Sequence, residues 1–205
     1  MKIKKIAAIA LSATMMLGSC LTVSAAPSMV QALDPNQVTA SEGEVSIVEK
    51  AVEEFREEFG EEAASLAEVI NEATVNDTLD KIFESVLEAD VFEELEVRLF
   101  EDNEDIGIAD LSLLKVLSPV IDLQITGITP TAENPVEVTF TANNMTDDID
   151  VYALHLCEEH GWEVLRTEVV SGNQVKAPFH SLSPVALVYA DKTDDKADIT
   201  APETK

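Results

Sequence analysis

Residues 135–189 constrain the fold most, because apolar side chains recur there with the period of β-strands. Val136, Val138 and Phe140 alternate with polar residues, which places them on one face of a strand. Residues 149–157 are apolar at both parities, which predicts a strand covered on both faces. Further strands are expected at 162–165, 175–179 and 185–189, with a hairpin turn at 171–173.

The order of motifs in the last third of the chain is distinctive. Val151-Tyr152-Ala153-Leu154-His155 precedes Trp162-Glu163-Val164-Leu165, then Phe179, then Leu182-Ser183-Pro184-Val185-Ala186-Leu187-Val188. This order resembles a C-terminal β-sandwich module of secreted or wall-anchored surface proteins of Gram-positive anaerobes. That family has no assigned activity. The resemblance therefore implies an antiparallel Ig-like β-sandwich and a surface location, and it implies no reaction.

The N-terminal residues 1–25 have the pattern of a secretory signal peptide. Three lysines precede the apolar run 6–23, and Val23-Ser24-Ala25 fits the small-residue cleavage rule. The run is too short to predict a retained membrane span. An alternative is a lipoprotein in which Cys20 is lipidated and anchors the chain. The first interpretation predicts a secreted protein.

The composition is strongly acidic. Removing residues 1–25 takes away three lysines and no acids, so the formal charge changes from −27 to −30. Such a chain repels nucleic acid and anionic lipid headgroups. Cys157 is then the one cysteine left, and one thiol cannot form an internal disulfide.

The sequence before the strands predicts a flexible leader at 26–41 and an acidic helical region at 42–92. Ser41 and Glu44 have the spacing of a capping box, and Gly60 is expected to interrupt the first helix. A third helical segment is expected to begin at Asn76 or Thr78. The apolar positions of the first segment recur at helical spacing: Val45, Val48, Val52, Phe55 and Phe59.

Acids dominate this region, with 23 acids against four bases between residues 42 and 105. The pattern is typical of a solvated helical surface, and weak association of divalent cations is an alternative. The densest run, 101–107, lacks the ligand spacing of an EF-hand loop.

The β-sandwich domain is expected at 95–190, followed by a disordered tail at 191–205. Pro178 lacks an amide hydrogen, so its strand should lie at a sheet edge or end there. Residues 201–205 are similar to a sortase sorting signal, but Lys205 stands where glycine is required.

Few residues are candidates for chemistry. His155, Cys157 and His160 offer three transition-metal ligands without a Cys-x2-Cys spacing, so a packed histidine and a buried, inert cysteine are expected. His180 is interpreted as a loop histidine. Ser183 lacks a nucleophile elbow and is assigned to a turn. The sequence thus predicts no catalytic, cofactor-binding or metal-ligating residue and no cofactor.

Two functional classes follow from these patterns. The first is a secreted or cell-surface module that is not an enzyme and that binds a partner or has a structural role. The partner would be an extracellular protein or a glycan, not nucleic acid, and the mature chain would have no transmembrane segment. The alternative is a small extracellular hydrolase that uses acids or His155. Trp162 could stack on a sugar ring, but its apolar strand favours a core position.

Overall fold

The computed structural model describes residues 33–34, 37–48, 52–74, 76–157, 159–182, 184–192 and 197–202. The predicted signal peptide with Cys20, as well as Ser183 and residues 203–205, lie outside the described residues. Within those ranges the chain is rich in β-structure and has a smaller share of helix.

The helices form one block between strands. Two short strands come first, β1 (Thr39–Ala40) and β2 (Glu44–Val48). The helices are α1 (Val52–Phe59), α2 (Glu61–Glu72), α3 (Leu79–Val86) and α4 (Ala89–Glu93). The later strands are β3 (Arg98–Glu101), β4 (Glu104–Ile108), β5 (Lys115–Val116), β6 (Ile121–Thr126), β7 (Val136–Thr141), β8 (Ile149–Cys157), β9 (Gly161–Arg166), β10 (Glu168–Ser171), β11 (Gln174–Phe179) and β12 (Pro184–Asp191).

The strands form two sheets. The smaller has the order β1-β7-β11-β10, and the larger has the order β2-β6-β12-β8-β9-β3-β4, with β5 also paired to β12. β12 and β8 pair over seven positions near the middle of the larger sheet. The pairing of β3 with β9 is parallel, so the expectation of an entirely antiparallel arrangement is wrong for this pair.

Two cores explain why β8 is apolar at both parities. Tyr152 and Leu154 belong to the helix-side core, a cluster that includes Leu66, Ile70, Phe83 and Val188. The alternate β8 residues belong to the inter-sheet core, a cluster that the two sheets share and that includes Val138, Phe140, Val151, Ala153 and Phe179. The prediction of a strand covered on both faces is confirmed, since helices cover one face and the smaller sheet covers the other.

The predicted helical region is correct only from α1 onward. Gly60 separates α1 from α2, and Thr78 is the N-cap residue of α3, as expected. Residues 44–48 form β2 instead of a helix, so the capping-box interpretation of Ser41 and Glu44 is wrong. Pairing with β6 decides the conformation there, because long-range contacts override weak local helix propensity.

The predicted flexible leader at 26–41 also makes ordered contacts in its described part. Leu33 is buried in the inter-sheet core, and β1 pairs with β7. Gly43 turns the chain from β1 into β2 with φ = 73°, and a Cβ atom there would lie 2.6 Å from the Thr126 carbonyl oxygen. The expectation of a flexible leader is therefore wrong for Leu33 and β1.

The predicted disordered tail is wrong at residues 197–202. Ala197 and Ile199 are buried in the helix-side core. The backbone continues along β4, because the Ala201 amide donates to the Ile108 carbonyl oxygen at 2.7 Å. The tail is short in apolar residues, yet Ala197 and Ile199 are enough to join it to the core.

Two predictions about the strands are confirmed. Trp162 is 6% exposed and Phe179 is fully buried, so both are core residues. β11 lies between β7 and β10, so the sheet-edge alternative for Pro178 is wrong, and the alternative of a strand end holds, since β11 ends at Phe179. β10 pairs with β11 only as far as Lys176, so Pro178 has a strand neighbour on one side, in β7. Because no strand lies on the open side of Pro178, its missing amide hydrogen costs no hydrogen bond between strands there.

Candidate functional site

The three histidines of the chain converge on one glutamate, Glu163. His155 in β8 is the direct cross-strand partner of Glu163 in β9. His160 lies in the turn between these two strands. His180 follows β11 of the smaller sheet, so the cluster joins the two sheets.

Each histidine contacts the Glu163 carboxylate through one of its own ring nitrogens. The Nδ1 atom of His155 lies 2.7 Å from Oε1, and the Nδ1 atom of His160 lies 3.2 Å from Oε2. The Nε2 atom of His180 lies 3.5 Å from Oε1. Glu163 and His155 are fully buried, whereas the His160 side chain is 37% exposed. A carboxylate is thus buried with only histidines as its ion-pair partners in the described part of the chain.

Cys157 completes this group of polar side chains. Its Sγ atom lies 3.3 Å from Nε2 of His180 and accepts a hydrogen bond from the Glu159 amide at 3.4 Å. One ligand atom each from Cys157, His160, Glu163 and His180 lies within 4.8 Å of the other three. We call these four residues, together with His155, the histidine cluster.

Aromatic rings enclose the histidine cluster. The centroid of Phe100 lies 5.4 Å from that of His160 and 5.9 Å from that of His180. Phe179 meets His155 edge to face at 5.3 Å. Burial in these apolar surroundings lowers the pKa of His180, while the nearby carboxylate of Glu163 acts in the opposite direction.

The geometry does not match a cysteine–histidine pair for nucleophilic catalysis. In such a pair one ring nitrogen takes the thiol proton and the other is held by an orienting group. In His180 the Nε2 atom faces both Cys157 and Glu163. The Nδ1 atom of His180 is buried without a hydrogen-bond partner among the described residues. Cys157 is also only 2% exposed, so a substrate carbonyl has no direct approach to its sulfur.

Part of this cluster was predicted from the sequence. It grouped His155, Cys157 and His160, and the structure brings Cys157 and His160 into the set of convergent ligand atoms. His155 instead contacts Glu163, and neither Glu163 nor His180 belonged to the group predicted from sequence. The sequence did contain a signal for Glu163: it is a single acid between Trp162 and Val164, two apolar residues that face a core.

The second candidate region is the exposed surface of α1 and α2. Phe55, Leu66 and Ile70 bury the inner side of these helices, which leaves the acids in solvent. Arg56 is the only base in these helices, and its Nε atom lies 2.6 Å from the Glu61 carboxylate. We define the acidic face by eight exposed carboxylates: Glu53, Glu54, Glu57, Glu58, Glu61, Glu62, Glu68 and Glu72.

No family model, curated protein or solved structure matches this chain. Among the described residues, no helix is both long enough and apolar enough to span a membrane.

Proposed function

We propose that this protein is a non-catalytic module that works outside the cell and binds a cationic protein through its acidic face. The observation that carries the proposal is the concentration of eight exposed carboxylates on two consecutive helices, whose one arginine is already paired with Glu61. A patch of one sign of charge speeds association with a partner of opposite charge and selects against partners of the same charge.

The packing of these helices supports the same proposal. Phe55 belongs to a buried cluster with Ala63, Ala64 and Ala67, so α1 and α2 present their acids from a fixed support. Exposed carboxylates contribute little to folding, because water already solvates them. We also expect this surface to associate weakly with divalent cations, which take oxygen ligands.

Two further features belong to this proposal. The pattern of residues 1–25 supports export from the cell. The inter-sheet core shared by the two sheets supports an Ig-like sandwich, extended by the helices and by β3, which pairs in parallel with β9. The hydrolase alternative lacks such support, because His155, Cys157 and Glu163 are buried and His180 uses one nitrogen toward both of its neighbours.

The binding experiment compares two charge-neutralised variants of equal charge. The first changes Glu53, Glu57, Glu62 and Glu68 to Gln. The control changes the exposed residues Glu104, Glu133, Asp147 and Asp148 to their amides. A lysine-rich peptide serves as the cationic probe in calorimetry at low and at physiological ionic strength.

We expect the acidic-face variant to bind the probe about tenfold more weakly than the control variant at low salt, with a reduced salt dependence. Equal weakening in the two variants would show that only net charge matters and would contradict the acidic face as the binding surface. A panel of glycosides, esters and peptides tests the non-catalytic part. Turnover that His155→Ala or His180→Ala abolishes in a folded protein would establish the hydrolase instead.

A further inference from the structure

We propose that Cys157, His160, Glu163 and His180 bind one zinc ion, at a site separate from the acidic face. This assignment departs from the sequence expectation of no metal ligand. The sequence shows three of the donors near one another, whereas the fold adds the fourth from the other sheet.

The spacing of the donor atoms fits a tetrahedral ion. With zinc–ligand bonds of about 2.0–2.3 Å, neighbouring ligand atoms lie about 3.3–3.6 Å apart. Similar separations already occur between Cys157 Sγ and His180 Nε2, at 3.3 Å, and between a histidine nitrogen and each Glu163 oxygen. His160 Nδ1 lies 3.2 Å from Oε2, and His180 Nε2 lies 3.5 Å from Oε1, so either carboxylate oxygen is within reach of the ion as its single oxygen ligand. The widest pair, at up to 4.8 Å, needs to close by about 1 Å to reach zinc geometry.

The chemistry of the donors selects the class of ion. One thiolate sulfur, two imidazole nitrogens and one carboxylate oxygen suit a borderline ion such as Zn²⁺. Calcium and magnesium require several oxygen ligands, and this site offers one carboxylate. Four protein ligands fill a tetrahedral shell and leave no open position, which is the pattern of structural zinc sites.

Charge balance gives a physical reason for an ion at this position. Glu163 is a fully buried carboxylate, and no lysine or arginine forms an ion pair with it in the described part of the chain. Burying a carboxylate without a full counter-charge is costly. Zn²⁺ with one thiolate and one carboxylate is a neutral group. Binding releases the thiol proton of Cys157 to solvent as the zinc–sulfur bond forms.

His155 is assigned as a positioning residue for this site. Its Nδ1 atom lies 2.7 Å from Oε1 of Glu163, which holds the carboxylate toward the other donors. Metal-ligating side chains are commonly held by such outer hydrogen bonds. The 37% exposure of His160 provides a route for the ion from solvent.

The first experiment measures zinc alone on the full chain. Chelator-treated protein is titrated with Zn²⁺, and stoichiometry is read by elemental analysis and a competing indicator. Cobalt substitution reports the ligands, because thiolate-bound tetrahedral Co²⁺ has a characteristic absorption spectrum. We expect one ion per chain, a cobalt–thiolate band and a higher melting temperature on zinc addition.

Variants then test each role. His160→Ala changes a partly exposed turn residue and should leave the fold intact, and Cys157→Ser is a small change. Removal of an outer-shell partner costs up to about 100-fold in metal affinity. Each of these variants removes a direct ligand, so we expect it to weaken zinc binding about 100-fold or more. His155→Leu should weaken binding about 10–100-fold and alter the cobalt spectrum. His155→Asn, which places an amide N–H near the Nδ1 position, should restore both.

The acidic-face variant serves as the matched control and should bind zinc like the unmodified chain. Less than one ion per chain, or unchanged zinc affinity in both His160→Ala and Cys157→Ser, would overturn the proposal. Loss of zinc binding in the acidic-face variant would also overturn it, since the ion would then be held by surface carboxylates. Lysine-peptide binding is a separate readout, so failure here leaves the proposed function to its own test.

Discussion

The histidine cluster and the acidic face place their carboxylates in opposite environments, one buried and the other exposed to solvent. The cluster buries a single carboxylate, Glu163, and surrounds it with three histidines and aromatic rings. The acidic face places eight carboxylates in water, with one arginine among them. Solvent screens the second arrangement, whereas the first depends on specific contacts.

This contrast shows where the chain can lose charge without losing its fold. Removing Glu53, Glu57, Glu62 or Glu68 from the acidic face removes an exposed carboxylate and lowers like-charge repulsion. Removing the carboxylate of Glu163 leaves His155 buried without its 2.7 Å partner. Loss of the Glu163 carboxylate should therefore change the free energy of unfolding strongly, whereas loss of a carboxylate from the acidic face should change it weakly.

The largest effect is expected from the residue next to Glu163 on β9. Trp162 is 6% exposed and meets Phe83 edge to face at a centroid distance of 5.9 Å. Trp162→Ala should lower the free energy of unfolding by about 3–5 kcal/mol, because it removes a large buried aromatic side chain. Urea denaturation measures the change.

The control for Trp162 is Val169→Ala in β10, where the valine is 51% exposed, and it should change stability by no more than about 0.5 kcal/mol. An unchanged melting temperature in Trp162→Ala together with lost glycan binding would contradict the core assignment. The ring would then be a ligand platform.

A smaller effect is expected where the tail meets the helix-side core. The Tyr152 hydroxyl donates to the Ala197 carbonyl oxygen at 3.2 Å, and burial raises the pKa of Tyr152 to about 12. Tyr152→Phe should cost about 1 kcal/mol at neutral pH, the usual net value of one hydrogen bond.

The pH dependence of Tyr152→Phe sharpens this test. A pKa that is higher in the folded state than its ordinary value of 10.0 gives stability that is present below pH 10 and is lost as pH rises through about 12. The unmodified chain should lose stability over this interval, and the variant should lack this part of the loss. A constant gap between the two proteins from pH 8 to 12, read by chemical denaturation, would show that Tyr152 does not titrate in this way.

The smallest effect is expected at the acidic face. Changing Glu53, Glu57, Glu62 and Glu68 to Gln should raise stability slightly at low salt, by no more than about 0.5 kcal/mol per site. Added salt should stabilise the unmodified chain more than this variant, because screening relieves the same repulsion. Thermal unfolding over a series of salt concentrations measures both changes. A lower stability of the variant at every salt concentration would show that these carboxylates make stabilising contacts.

Local patterns predicted much of the fold. Alternation in 136–140 and the apolar run 149–157 correctly indicated β7 and β8, and Gly60 correctly marked the break between α1 and α2. The errors lie where distant partners decide. Val45 and Ile47 pair with β6, and Ile199 is buried beside β4, and no local pattern specifies either contact.

The candidate site was only partly accessible from sequence for the same reason. His155, Cys157 and His160 are close in sequence, so spacing suggested them as a group. Glu163 joins through the register of β8 with β9, and His180 joins through the packing of the smaller sheet on the larger. Register and sheet packing are set by the whole core, so they cannot be derived from the spacing of ionisable residues.

The most direct test compares Glu163→Gln with Glu57→Gln by urea denaturation, with a chelator present so that the result does not depend on a bound ion. We predict that Glu163→Gln lowers the free energy of unfolding by about 1–3 kcal/mol, nearly independently of salt, because Glu163 and its nearest partner His155 are fully buried. Glu57→Gln should change it by no more than about 0.5 kcal/mol, and the change should disappear at high salt. Equal effects of the two substitutions would contradict the claim that the histidine cluster and the acidic face hold their charge in different ways.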